Sequence, residues 1–131
     1  MQLHPFANPG RFYKGNLHLH STKSDGTLTP ADVIDAYRTR GYDFVSLTDH
    51  FLPETHFRPE ARAENFIRIT DITDFRTETF TTILGAELHG LAMENGEAWH
   101  IVANGLPLDF TTPRADESGP DVARRAKSAG A

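Results

Sequence analysis

The chain has 131 residues, 38% of them hydrophobic, and a formal net charge of -5 from 13 basic and 18 acidic residues, which suits one small globular domain with its own core. It has no dense Lys/Arg run, so a nucleic-acid backbone is a disfavoured partner, and no membrane-length apolar stretch, which would take roughly 18 residues. Cysteine is absent, which excludes disulfides and thiolate ligation and leaves nitrogen and oxygen donors, among them seven histidines, for any metal ion.

The first ten residues lack the positive start and apolar centre of a signal peptide, so a cytoplasmic location is expected. Residues 14–20 (KGNLHLH) alternate and then break at Ser21-Thr22-Lys23-Ser24-Asp25-Gly26, a strand running into a loop. Thr29-Pro30-Ala31-Asp32 opens a helix with an N-cap Thr and a proline at the first helical position. Val33, Ile34 and Tyr37 form its apolar stripe, and Arg40-Gly41 ends it. Residues 42–48 (YDFVSLT) predict a second strand, ending at Asp49-His50.

Pro53 and Pro59 interrupt the next stretch, where a helix is expected over 60–66 and a strand over 67–72. Residues 80–88 (FTTILGAEL) predict a third strand and 98–106 (AWHIVANGL) a fourth, separated by a polar turn at 93–96. An irregular connection with two prolines leads to an amphipathic helix over 120–129. The order implies an α/β fold that opens on a parallel βαβ unit, in one domain over 1–131.

His18 and His20 are two apart on a strand, so both imidazoles leave one face while Leu19 goes to the other, and together they can chelate one ion. His50 follows Asp49 at the end of the second strand, Glu87 ends the third, His100 lies in the fourth, and Asp25 sits in the first loop. Each alone has a plain structural explanation: Asp25-Gly26 is a turn, Asp49 a cap, Glu87 a solvated strand end. Their coincidence at strand ends, where α/β folds place their sites, carries the weight.

HLHSTKSDG and LTPADVIDAYRTRGYDFVSLTDH resemble the first two motifs of the polymerase-and-histidinol-phosphatase (PHP) family, with its His-x-His, Ser-Asp-Gly and Thr-Asp-His. ILGAELHG is similar to the family's Gly-x-Glu strand and WHIVANGLPLD to its His-containing strand, so the four motifs span residues 15–109. The resemblance implies a distorted (β/α) barrel of parallel strands with two or three divalent ions (Zn, Mn or Fe) at its mouth. His18 and His20 would bind a first ion, Glu87 would bridge it to a second held by His100, and Asp25 and His50 would hold a third.

Such ions would make the domain a hydrolase, a phosphatase or other phosphoesterase that uses a metal-bridged hydroxide on a small phosphorylated metabolite or nucleotide. Asp49 is then either an orienter of a ligating imidazole or a cap for the loop after it. His89 either shares the face of Glu87 or lies solvated before Gly90. His4 and His56 fall outside every motif, and Arg58, Arg62 and Arg76 are taken as surface. The family's later His strand and Asp-x-His are not found after His100, so the chain is expected to be about the first half of a truncated domain, inactive alone, with an exposed sheet edge at Ile101 and Val102. An amidohydrolase-like metal hydrolase and a non-catalytic metal-binding domain are the alternatives.

Overall fold

A computed structural model describes residues 10–53, 66–92, 98–114 and 116–131, with the side chains of 91 and 92 excepted. The expected helix over 60–66 falls almost wholly outside these residues, as does the turn at 93–96. The described elements are β1 (Gly15–Asn16), α1 (Pro30–Thr39), β2 (Phe44–Leu47), β3 (His50–Phe51), a 3-10 turn (Thr73–Phe75), β4 (Thr81–Ala92), β5 (Ala98–Asn104) and α2 (Gly119–Ala129). Among the described residues, no helix is long and apolar enough to cross a membrane.

Local chemistry sets the helix limits. Thr29 caps α1 by accepting from the Asp32 amide at 3.2 Å, Pro30 fills the first turn, and the chain leaves through Gly41 at φ +73°, a conformation that glycine adopts without cost. Ser118 and Asp121 form a reciprocal capping box on α2, which closes on a left-handed Gly130.

The sheet is mixed. β1 and β2 pair in parallel, and β2 pairs in parallel with β4 from Phe44 opposite Thr81 to Leu47 opposite Leu84. β3 continues that register, with His50 opposite Glu87 and Phe51 opposite Leu88. β5 runs antiparallel to β4, with His89 opposite His100, which corrects the all-parallel arrangement expected from the resemblance. The reason is topological: only five residues separate Ala92 from Ala98, too few for the crossover of roughly a dozen residues that a parallel strand needs. This hairpin also prolongs β4 to Ala92, so Glu87 sits within the strand and not at its end.

Two further expectations are corrected. Only Gly15 and Asn16 of the first predicted strand join the ladder, because the next amides are taken by side chains: His18 N–H donates to Asn16 Oδ1 at 3.0 Å and Leu19 N–H to Thr48 Oγ1 at 3.2 Å. Residues 67–72 are not a strand; Ile69 and Ile72 are buried as anchors of an irregular segment that leads into the 3-10 turn.

Two apolar clusters lie side by side on one face of the sheet, and Leu84 packs against both. One joins Val33 and Ile34 of α1 to Val45 and Leu47 of β2; the other joins Ala86 and Leu88 of β4 and Ala103 of β5 to Val122 and Ala126 of α2. With even-numbered β4 residues committed to the core, Glu87 and His89 must leave the opposite face. Gly90 has no room for a side chain, since the Trp99 ring lies 1.6 Å from where its Cβ would be. On β5, Ile101 packs partly against the core and Val102 is 40% exposed.

The connection before α2 is held by Arg125, whose guanidinium donates to both oxygens of buried Glu117 at 2.7 and 2.8 Å and to the Thr111 and Thr112 carbonyls at 3.0 and 3.1 Å. Arg125 first of all holds the Glu117 carboxyl below its ordinary value, against the upward pull of burial. A depressed carboxyl stabilises the fold above its unfolded value, and that contribution fades as pH falls through the folded one. Arg125→Ala is expected to cost roughly 2–3 kcal/mol at neutral pH and to flatten the acid side of the stability profile, as read by chemical denaturation between about pH 3 and 7. An unchanged profile would contradict this role.

Candidate metal centre

The site forms where three segments meet: the loop after β1, the junction of β2 and β3, and the β4–β5 hairpin. Leu19 is anchored in the core, so the flanking His18 and His20 project to the other side, with ring centroids 4.9 Å apart. The parallel register places His50 beside Glu87, and the antiparallel register places His100 beside His89. The ring centroids then follow one another from His20 to His50 at 4.5 Å, His50 to His89 at 4.6 Å and His89 to His100 at 3.9 Å.

Glu87, buried at 6% exposure, is the hub. Its Oε2 lies 2.9 Å from His50 Nδ1, 3.3 Å from His20 Nε2 and 3.8 Å from His89 Nε2, and its Oε1 lies 2.9 Å from His100 Nδ1. Asp25 reaches in from the loop, 3.1 Å from His20 Nδ1 and 3.2 Å from His50 Nε2. Three groups offer donor atoms within 4.8 Å of one another: His18, His20 and Glu87; His20, Asp25 and His50; and His50, Glu87 and His89. His100 touches Glu87 but belongs to none of the three.

The electrostatics suit a cation. Burial, and then the neighbouring His100 and His50, push the His89 pKa down to about 4, so this imidazole is neutral at physiological pH with a lone pair to offer. Burial also lowers His20, with His50 adding to the effect. Asp25 is held below its ordinary value: burial pulls upward, but the hydrogen bond from His50 and the charges of His50 and His20 outweigh it. His50 Nδ1 and His89 Nε2 lie 2.6 Å apart and both face the Glu87 carboxylate. Imidazoles crowded around carboxylates are a donor set for divalent ions that accept nitrogen and oxygen, such as zinc, manganese or iron.

His18, His20, Asp25, His50, Glu87, His89 and His100 therefore meet in one cluster, with His89 facing Glu87 and His50. Among the described residues, Asp49 makes no hydrogen bond or ion pair to an imidazole. Its buried carboxylate accepts from Ser21 N–H at 2.7 Å, Ser21 Oγ at 2.7 Å and Ser24 Oγ at 2.6 Å, which ties down the loop that carries His20 and Asp25. Gly26 lets that loop close, because a Cβ there would lie 2.5 Å from the His20 carbonyl oxygen.

Ser21, Ser24 and Thr48 are site-shaping residues that sequence reasoning passed over. Thr48 Oγ1 lies 2.9 Å from His18 Nδ1 and Ser24 Oγ 3.2 Å from His20 Nδ1. Ser24 and Thr48 carried only the signal of their positions inside Ser-Asp-Gly and Thr-Asp-His, and Ser21 that of following His-x-His. Arg76 lies away from the cluster, donating to the Thr82 carbonyl at 2.9 Å, while His4, His56, Arg58 and Arg62 fall outside the described residues.

Comparison with known proteins gives two partial likenesses. The chain is 30% identical over 77 residues to the DNA polymerase/3'-5' exonuclease PolX of Bacillus subtilis (strain 168), covering 57% of this chain and 14% of that protein. It is 51% identical over 35 residues to the 3',5'-nucleoside bisphosphate phosphatase of Chromobacterium violaceum, covering 27% of this chain and 12% of that protein. No protein-family model matches the chain, and no solved structure matches it significantly. The aligned parts thus span about an eighth of each relative, and the relatives' names point to phosphoester chemistry.

Proposed function

We propose that the cluster is the metal-binding half of a PHP-type phosphoesterase site, acting on a small phosphorylated metabolite or nucleotide. The observation that carries this is the overlap of three donor groups at His20, His50 and Glu87, an arrangement suited to adjacent ions and not to one isolated ion. His18, His20 and Glu87 would hold one ion; Asp25 and His50, with His20 beside them, another; and Glu87 with His89 and His100 a further one. When bound, such ions supply Lewis acidity toward phosphate oxygens and lower the pKa of water. Nucleic acid is the less favoured partner on charge.

The protein's own part is to arrange and to exclude. The core on one side and the Asp49-anchored loop on the other fix the donors before anything binds. His89, held neutral at physiological pH by burial and its imidazole neighbours, has a lone pair to offer an ion and no imidazolium proton to give, so it serves as a ligand and not as a general acid. A cavity of about 570 Å³ opens beside His20 and Asp25 and runs along Leu28, Tyr37, Arg40 and Tyr42, room enough for the organic part of an ester. The phosphatase relative, named for a nucleoside bisphosphate, supports a phosphorylated small molecule as substrate.

Elemental analysis alongside phosphate release tests the proposal. The 131-residue chain should take up Zn²⁺ or Mn²⁺ with negligible turnover, whereas a full-length relative with the same residues should release phosphate only with metal present. In that relative, substitutions matching His20→Ala or Glu87→Ala should lower turnover more than about 100-fold. In this chain Glu87→Ala should abolish metal uptake, His20→Ala should lower it, and His56→Ala should leave it unchanged. A His20→Ala protein that kept full metal content, with a relative that kept full turnover, would end the assignment.

A further inference from the structure

The cavity beside His20 and Asp25 changes character from one end to the other. On α1 its wall is Val33, Ala36, Tyr37 and Arg40, at i, i+3, i+4 and i+7 on one stripe of the helix, so it extends about 10 Å at about 1.5 Å per residue. The end next to His20 and Asp25 is closed by the loop that leads into α1, where Thr22 N–H donates to the Leu28 carbonyl at 2.8 Å. The walls between are apolar, with Val33 buried and Leu28 45% exposed. Tyr37 and Tyr42 form a fixed aromatic corner: their rings meet edge to face at 4.7 Å, and Asn16 Nδ2 donates to Tyr37 Oη at 2.7 Å.

The far end is cationic. Arg40 donates to the Ala36 carbonyl at 2.7 Å through Nη1, while Lys14 Nζ donates to the Arg40 carbonyl at 3.1 Å and lies 4.2 Å from the Tyr42 ring centroid. Among the described residues neither side chain has a carboxylate partner, whereas Arg11 is paired with Asp43 and Arg38 with Asp35. In a chain of net charge -5, two unpaired cations at one end of a cavity attract an anion, and the guanidinium keeps further N–H groups to bind it. We infer that the cavity seats the alcohol part of the ester, and that Arg40 selects an alcohol with an aromatic body and an anionic group, carboxylate or phosphate, at its far end. The inference rests on the phosphoesterase proposal, which puts the reacting phosphate at the His20 and Asp25 end, but binding of the alcohol itself needs no ion. Carboxylate and phosphate both match the guanidinium fork, and a rigid ring loses less freedom in the Tyr37–Tyr42 corner than a flexible chain would.

The test titrates the metal-free 131-residue chain with phenol, 4-hydroxybenzoate and 4-hydroxyphenyl phosphate, followed by ¹H–¹⁵N amide shifts. One or both anionic alcohols should bind about 10-fold more tightly than phenol, with shifts at Thr27, Leu28, Tyr37 and Arg40, and the tighter of the two identifies the anionic group. Arg40→Gln should cut that preference to less than about 3-fold while leaving phenol binding unchanged. Arg40→Lys should keep more of the preference than Arg40→Gln does. A merely structural role for Arg40 would instead weaken all three probes together. No binding, equal affinity for the anions and phenol, or a preference that survives Arg40→Gln would overturn the inference. A chain with the expected preference that takes up no metal would overturn the metal-site proposal alone, and one that takes up metal but shows no preference would overturn this inference alone.

Discussion

The site is organised around a constraint: a carboxylate buried on the polar face of a sheet. Glu87 cannot be left without partners there, because an uncompensated charge in a dry environment costs several kcal/mol. Four imidazoles, from His20, His50, His89 and His100, come within 4 Å of its oxygens. They come from four separate elements, so satisfying Glu87 is also what brings the β1 loop, β3, β4 and β5 together at one point.

The apolar packing explains why that convergence is reproducible. Val45 and Leu47 on β2, Ala86 and Leu88 on β4 and Ala103 on β5 all turn toward the two helix-covered clusters. Because a strand alternates its faces, committing these residues to the core commits Glu87, His89 and His100 to the other side. A one-residue slip of β5 against β4 would move His100 to the core face and Ile101 to the site. Core and site therefore specify one register between them, and the Asp49–Ser21–Ser24 hydrogen bonds extend that specification to the irregular loop, where no ladder operates.

Much of this was legible in the sequence, and the remainder was not for identifiable reasons. The first helix was readable from its Thr29-Pro30 cap and the second from its amphipathic pattern, whereas the Ser118 cap of the second emerges only in the structure. The pairing of His18 with His20 was readable from strand alternation, although the ladder there stops at Asn16 and the two rings are held by side-chain hydrogen bonds instead. The antiparallel direction of β5 follows from the short connection between the two predicted strands, but the parallel barrel implied by the resemblance pointed the other way. The role of Asp49 was also hidden: its partners are 25 and 28 positions away, and a side chain that anchors a loop looks in sequence like one that orients a ligand. Residues 67–72 carry Ile67 and Ile69 at strand spacing, yet among the described residues they pair with no strand, and the buried pair, Ile69 and Ile72, is three apart, as anchors of an irregular segment.

The central claim is that the imidazoles gathered at Glu87 are a metal centre and not a self-sufficient hydrogen-bonded network. Anomalous diffraction at the zinc edge from crystals of the Zn²⁺-loaded chain tests it most directly. The account predicts anomalous peaks about 2.0–2.2 Å from His20 Nε2 and from a Glu87 carboxylate oxygen, with His18 or His50 completing the shell. A chain that crystallised with zinc only on its outer surface, and with the Glu87–imidazole contacts unchanged, would contradict it.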